Sequence, residues 1–266
     1  MSDLPPDGRL AARWAERKAD GRTGLVAYVT AGHPDRAQTT AFLRGAAAAG
    51  VDVVELGLPF SDPIADGPVI QSSSHAALAG GMTAQGALAL LAAARPDVPV
   101  VIFSYLNPML AHGAASFARA ARTAGAAGLL VTDLPAGADP ALEGELGAAG
   151  LPLVRLVAPT TPPERRRAIA EASRGFLYLV SRLGVTGEGP GLAAGLGPQI
   201  AALRTVTTLP IAVGFGIATE RQAAEAGALA DGVVIGSAVV ARMERGGAAE
   251  ALDWLRVVRR ALDARR

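Results

Sequence analysis

Residues 51–56, VDVVEL, run directly into GLPFSDPIADG (57–67), and this junction decides the fold. Four of the first six residues are Val or Leu, as a strand buried on both faces requires, and the Gly, Pro and Asp that follow read as a shaped loop. The same unit recurs along the chain. Strands are expected at GLVAYVT (24–30), VDVVEL (51–56), VPVVIFS (98–104), AGLLVT (127–132), LPLVRLV (151–157), GFLYLV (175–180), LPIAVGF (209–215) and DGVVIG (231–236). Ala-rich helical segments alternate with them, among them RAQTTAFLRGAAAAG, AQGALALLAAARP, AASFARAARTAG and PERRRAIAEAS, several closed by Gly or Pro. The last, AAEALDWLRVVRRALD, sets Leu252, Leu255, Val258 and Leu262 on one stripe. Eight βα units predict an α/β protein whose parallel sheet closes into a (β/α)8 TIM barrel. An extra N-terminal helix, about 8–20, precedes the first strand and is expected to cap the barrel's bottom. No linker divides the chain, so residues 1–266 are expected to form a single domain.

Composition narrows the function. Half the residues are hydrophobic and few are aromatic, which suits helices packed on a parallel sheet. Net charge is +1, without the basic field that nucleic acid would need or a charge run suited to a membrane surface. No apolar run reaches the roughly 20 residues of a membrane span. The absence of cysteine excludes disulfides and thiolate chemistry, and the polar start MSDLPPDGRL lacks the apolar stretch of a signal peptide, so a cytoplasmic protein is expected.

In a barrel of this kind active sites lie at the C-terminal ends of the strands. Glu55 falls there, on the second strand, and Asp62 and Asp66 follow in its loop. A lone strand-end glutamate is as readily a structural carboxylate; three carboxylates within twelve residues point to acid/base chemistry. A second constellation lies in VGFGI (213–217) and VIGSAV (234–239), where glycines end strands seven and eight just before helices. Backbone N–H groups at such turns attract anions, which predicts a phosphorylated small molecule, with Gly187 completing the cradle. A Schiff-base mechanism is excluded, because Lys18 is the only lysine and precedes the first strand. His33, His75 and His112 are scattered without ligand spacing, which argues against a metal site and reads as loop or cap residues.

ELGLPFSDPIADGP, with LVAYVTAGHP, LVTDLP, YLVSRLGVTG, VGFGI and GSAVV in order, resembles the tryptophan synthase α subunit family along essentially the whole chain. The resemblance implies cleavage of indole-3-glycerol phosphate to indole and glyceraldehyde 3-phosphate by retro-aldol chemistry, without metal or organic cofactor. It implies that Glu55 protonates the indole ring at C3 and Asp66 meets the indole N–H. Tyr178 would lie beside the glutamate, Thr186 would steady the aspartate, and Tyr28 and Phe103 would enclose the ring. Gly187, Gly214, Phe215, Gly216, Ile217, Gly236 and Ser237 would hold phosphate. Asp62, Pro63 and Asn107 would face a β subunit that carries pyridoxal phosphate, in an α2β2 heterotetramer.

The sequence departs from the family in its lid, where EGPGLAAGLGP follows VTG, and at His33, where the family often has Asp. Apolar surroundings predict a raised pKa for Glu55. Three other readings stay open at this point: a free-standing lyase that releases indole, a catalytically weak phosphate-binding regulatory subunit, and another phosphosugar barrel such as an isomerase.

Overall fold

The computed structural model describes residues 6–180, 193–214 and 216–264. Eight parallel strands close into a barrel in sequence order: β1 (Gly24–Thr30), β2 (Val53–Gly57), β3 (Val100–Ser104), β4 (Gly128–Val131), β5 (Leu153–Val157), β6 (Leu177–Val180), β7 (Ile211–Gly214) and β8 (Gly232–Ile235). Each lies inside the range expected from sequence, except that β2 extends one residue further, to Gly57.

Around the barrel run α1 (Pro6–Ala19), α2 (Arg36–Gly45), α3 (Pro68–Ala79), α4 (Ala84–Ala94), α5 (Leu106–Leu110), α6 (Ala114–Thr123), α7 (Pro140–Gly147), α8 (Pro163–Ala172), α9 (Ala193–Arg204), α10 (Glu220–Gly227) and α11 (Ser237–Asp263). The last helix begins earlier than its Leu/Val stripe suggests. A break at Gly246 and Gly247 separates a first segment, directly after β8, from the striped one. Leu252, Leu255, Val258 and Leu262 are buried as expected.

Both faces of the strands are buried, which explains their near-continuous apolar character. Leu25, Ala27 and Val29 of β1, for example, face the helices, whereas Val26 faces inward with Val53, Val101, Leu130, Val154, Ala212 and Val234. The N-terminal helix closes the interior from below. Leu10 and Trp14 join the inward cluster, and the Trp14 ring packs 5.3 Å from Phe176, centroid to centroid. A Cβ at Gly24 or at Gly232 would come within 2.5 Å of the Trp14 ring, so two strands begin with glycine where the plug enters.

Trp14→Ala removes this plug. The expected loss is about 3 kcal/mol, within the usual cost of deleting a buried Trp, read as a lower denaturant midpoint; an unchanged midpoint would show that the helix only lies against the barrel.

Candidate active site

The period-two geometry of β2 carries Glu55 to the same inward face as Val53. Its register partners are Tyr28 on β1 and Val101 on β3. Glu55 is 1% exposed, and its Oε1 is buried with no hydrogen-bond partner among the described residues. Desolvation therefore pushes its pKa up to about 8, because burial disfavours the ion and nothing opposes it. Near neutral pH this side chain holds a proton it can give.

Two buried tyrosines flank it. Tyr28 packs edge-on to Phe103 at 5.3 Å, and its hydroxyl lies 3.4 Å from Thr30 Oγ1. Tyr178, on β6, is 5% exposed. Burial first, then the negative potential of Glu55 and Asp66, raises both phenol pKa values, so the rings act as neutral walls and donors. The phenols need room. A Cβ at Gly57 would lie 2.1 Å from the Tyr28 hydroxyl oxygen, and one at Gly214 equally close to that of Tyr178.

Asp66 closes the loop after β2 and is 6% exposed. Its Oδ2 accepts from the Tyr105 hydroxyl at 3.1 Å, and that hydroxyl accepts from the Ala65 N–H at 2.9 Å. Desolvation pushes the Asp66 pKa up to about 6, with the Tyr105 hydrogen bond working against it. Tyr105 was not foreseen from sequence. Its only signal is an aromatic residue directly after a strand end on the same side of the barrel. In the same loop Asp62 is exposed, held by Ser61, and Asn107 on α5 is exposed too. Pro63 in this loop is buried, while its neighbour Ile64 is 86% exposed.

The two glycine turns at the other side of the mouth are not equivalent. At the start of α10 the Thr219 side chain accepts from Gln222 N, while the Gln222 side chain accepts from Ala218 N and Thr219 N. Those donors are taken. The start of α11 at Gly236 has no side-chain cap, which leaves its first N–H groups for an anion. Gly214 and Gly216, the latter exposed with φ 81°, and buried Ile217 form the neighbouring turn. Thr186, Gly187 and Phe215 lie outside the described residues.

The histidines stay apart. Buried His33 pairs with Glu244 at 2.8 Å, His75 lies within α3 rather than in a loop, and His112 meets the Phe117 ring edge-on. Among the described residues no group of three or more His, Asp or Glu could hold a metal ion. Lys18 lies on α1, at the opposite end of the barrel. A separate cavity of about 350 Å³ opens between the loops after β4 and β5, lined by Thr132, Arg155, Thr161 and Arg165 among others. Arg155 is already paired with Glu143 at 2.6 Å and donates to Leu134 O, so it serves the packing of α7.

A closed (β/α)8 barrel with a desolvated acid on its inward face, a second buried carboxylate in the loop that follows and an uncapped helix start after β8 defines a barrel enzyme of acid/base type for an anionic substrate. Residues 14–262 match the family model described as tryptophan synthase alpha chain. The tryptophan synthase alpha chain of Laribacter hongkongensis is 46% identical over 263 residues, covering 96% of this chain and 99% of the relative. That of Caulobacter sp. (strain K31) is 46% identical over 239 residues, covering 89% and 87%. Among solved structures, tryptophan synthase subunit alpha from Legionella pneumophila superposes with TM-score 0.86 at 32% identity, covering 96% of this chain and 98% of that one. A ligand-free tryptophan synthase from M. tuberculosis superposes with TM-score 0.87 at 31% identity over 96% and 98%. The chain belongs to the tryptophan synthase alpha chain family. It is accordingly a lyase that cleaves indole-3-glycerol phosphate by aldol-type chemistry and passes indole to a β subunit. Among the described residues no single helix is long and apolar enough to cross a membrane.

The raised pKa of Glu55 makes stability depend on pH. The unfolded chain releases this proton near 4.5 and the folded chain near 8, so the stability contributed by the protonated form is complete below 4.5 and is lost as pH rises through about 8. Glu55→Gln does not titrate there. Its stability relative to wild type should therefore climb between these two pH values and level off above them, measured by denaturant unfolding; a pH-independent difference would show an unshifted carboxyl.

Proposed function

We propose that Glu55 is the acid and Asp66 the ring-facing carboxylate in the cleavage of indole-3-glycerol phosphate. The observation that carries this reading is the burial of Glu55 on the inward face of β2, with Oε1 lacking a hydrogen-bond partner among the described residues. Protonated Glu55 gives its proton to C3 of the indole ring, which becomes an indolenine. The bond from C3 to the glycerol chain then breaks, and its electron pair returns to the ring. The adjacent hydroxyl loses its proton to the carboxylate of Glu55 and becomes the aldehyde of glyceraldehyde 3-phosphate. Asp66, with the lower pKa of the two carboxylates, offsets the positive charge that grows on the ring nitrogen. The indolenine is the electron sink, so the chain needs neither metal nor cofactor of its own.

The other described residues take their roles from place. Tyr28, Phe103 and Tyr178 enclose the ring, and Thr186, which lies outside the described residues, steadies Asp66 as the family resemblance implies. The N–H groups at Gly236 and Ser237 hold phosphate together with Gly214, Gly216 and Ile217, joined by Gly187 and Phe215. Exposed Asp62, Ile64, Asn107 and Leu110 support docking of a β subunit on this side of the mouth, with Pro63 shaping the loop from within. Pyridoxal phosphate belongs to that partner, and the assembly is α2β2 in the cytoplasm. Residues 1–266 work as one domain.

Single-turnover cleavage tests the acid. Glu55→Gln should lose about 100-fold or more, and the wild-type rate should fall as pH rises through about 8; substantial residual cleavage in the variant would sink the assignment. Steady-state cleavage with and without a purified β subunit tests the partner. Strong activation is expected, whereas equal rates would favour the free-standing lyase.

A further inference from the structure

The loop that carries Asp66 is held from the helix that follows it. In α3 the side chains of Gln71, Ser73 and Ser74 turn back towards the barrel mouth. Ser74 Oγ accepts from the Phe60 N–H at 3.1 Å, where the loop begins. Ser73 Oγ lies 2.6 Å from Thr30 Oγ1 at the end of β1 and donates to Ile70 O, which fixes the helix against the first strand. Ser73, Ser74 and Thr30 are all buried.

Gln71 makes the contact closest to the chemistry. Its Nε2 donates to Pro63 O at 3.3 Å and to Asp66 O at 3.0 Å. Pro63 O also accepts from the Asp66 N–H at 3.0 Å, which closes the turn Pro63–Asp66. One carboxamide therefore spans both ends of the turn that presents the Asp66 carboxylate. From the other side Tyr105 takes the Ala65 N–H and gives its proton to Asp66 Oδ2. Tyr105 grips the carboxylate itself; Gln71 grips only the backbone beneath it. Were Gln71 apolar, Asp66 O would lose its hydrogen-bond donor among the described residues, and the turn would keep a single internal hydrogen bond.

We propose that Gln71 is a positioning residue for the cleavage reaction, holding Asp66 at the ring-facing site through the backbone of its turn. This rests on the reading of Asp66 as the ring-facing carboxylate. Gln71 touches no reacting atom, so its effect must pass through Asp66.

A double-mutant cycle separates the two claims. Gln71→Met keeps the length and removes the donors. It should lower the single-turnover cleavage rate about tenfold, the scale of losing the two hydrogen bonds from its Nε2, with KM within about twofold. In an Asp66→Asn background the same change should cost almost nothing. Equal losses in the two backgrounds, or no loss in either, would overturn the positioning role. Full activity of Asp66→Asn alone would instead overturn the reading of Asp66. Should Gln71→Met fail to fold, Gln71→Glu enters the same cycle, since it keeps the shape and replaces the donor with an acceptor; its loss is likewise expected to vanish in the Asp66→Asn background. Gln71→Lys restores a donor and should recover part of the rate, whereas a rescue-free series would argue for a purely steric role.

Discussion

Closing the sheet into a barrel takes water away from one carboxylate, and most of the site depends on that removal. Glu55 stands on the inward face of β2 above a floor of Val53 and Val101, with the interior stoppered from below by Leu10 and Trp14. No charge or donor among the described residues compensates it at Oε1, so the proton stays on. The same desolvation keeps Tyr28 and Tyr178 neutral. It also dictates small residues on the strands, since Gly57 and Gly214 leave the space that the two phenols occupy. An open sheet would have admitted water to Glu55 and returned it to the ordinary carboxylate range.

Asp66 shows the same physics applied more gently. It lies in a loop, is a little more exposed than Glu55, and takes a hydrogen bond from Tyr105 that favours its ion. The two pKa values separate, to about 8 and about 6. Two carboxyl groups eleven residues apart in the chain can thus hold different protonation states at one pH.

The glycine turns on the other side of the mouth differ from each other in the backbone. Both glycine turns look alike in sequence, yet α10 spends its first N–H groups on Thr219 and Gln222 while α11 leaves its own uncapped. The local rule that glycine before a helix invites an anion applies to both turns. At α10 the N–H groups of Ala218, Thr219 and Gln222 are taken, because the Gln222 side chain folds back over the helix start, whereas α11 has no side-chain cap.

Much of the protein could be read from the chain before any coordinates. The eight strands, the plugging N-terminal helix and the buried stripe of Leu252, Leu255, Val258 and Leu262 follow from periodicity, since burial on both faces of a closed sheet leaves no freedom in where apolar residues fall. The parity of β2 and the strand-end rule likewise singled out Glu55. Other features were decided only by the folded structure. Tyr105 meets Asp66 across 39 positions, Pro63 turns inward while Ile64 turns out, and the single helix after β8 breaks at Gly246 and Gly247. Periodicity records which way a side chain faces relative to its own element. Contacts between loops, and the competition of side chains for backbone donors, depend on how separate elements are brought together, and that is set by the closure of the barrel.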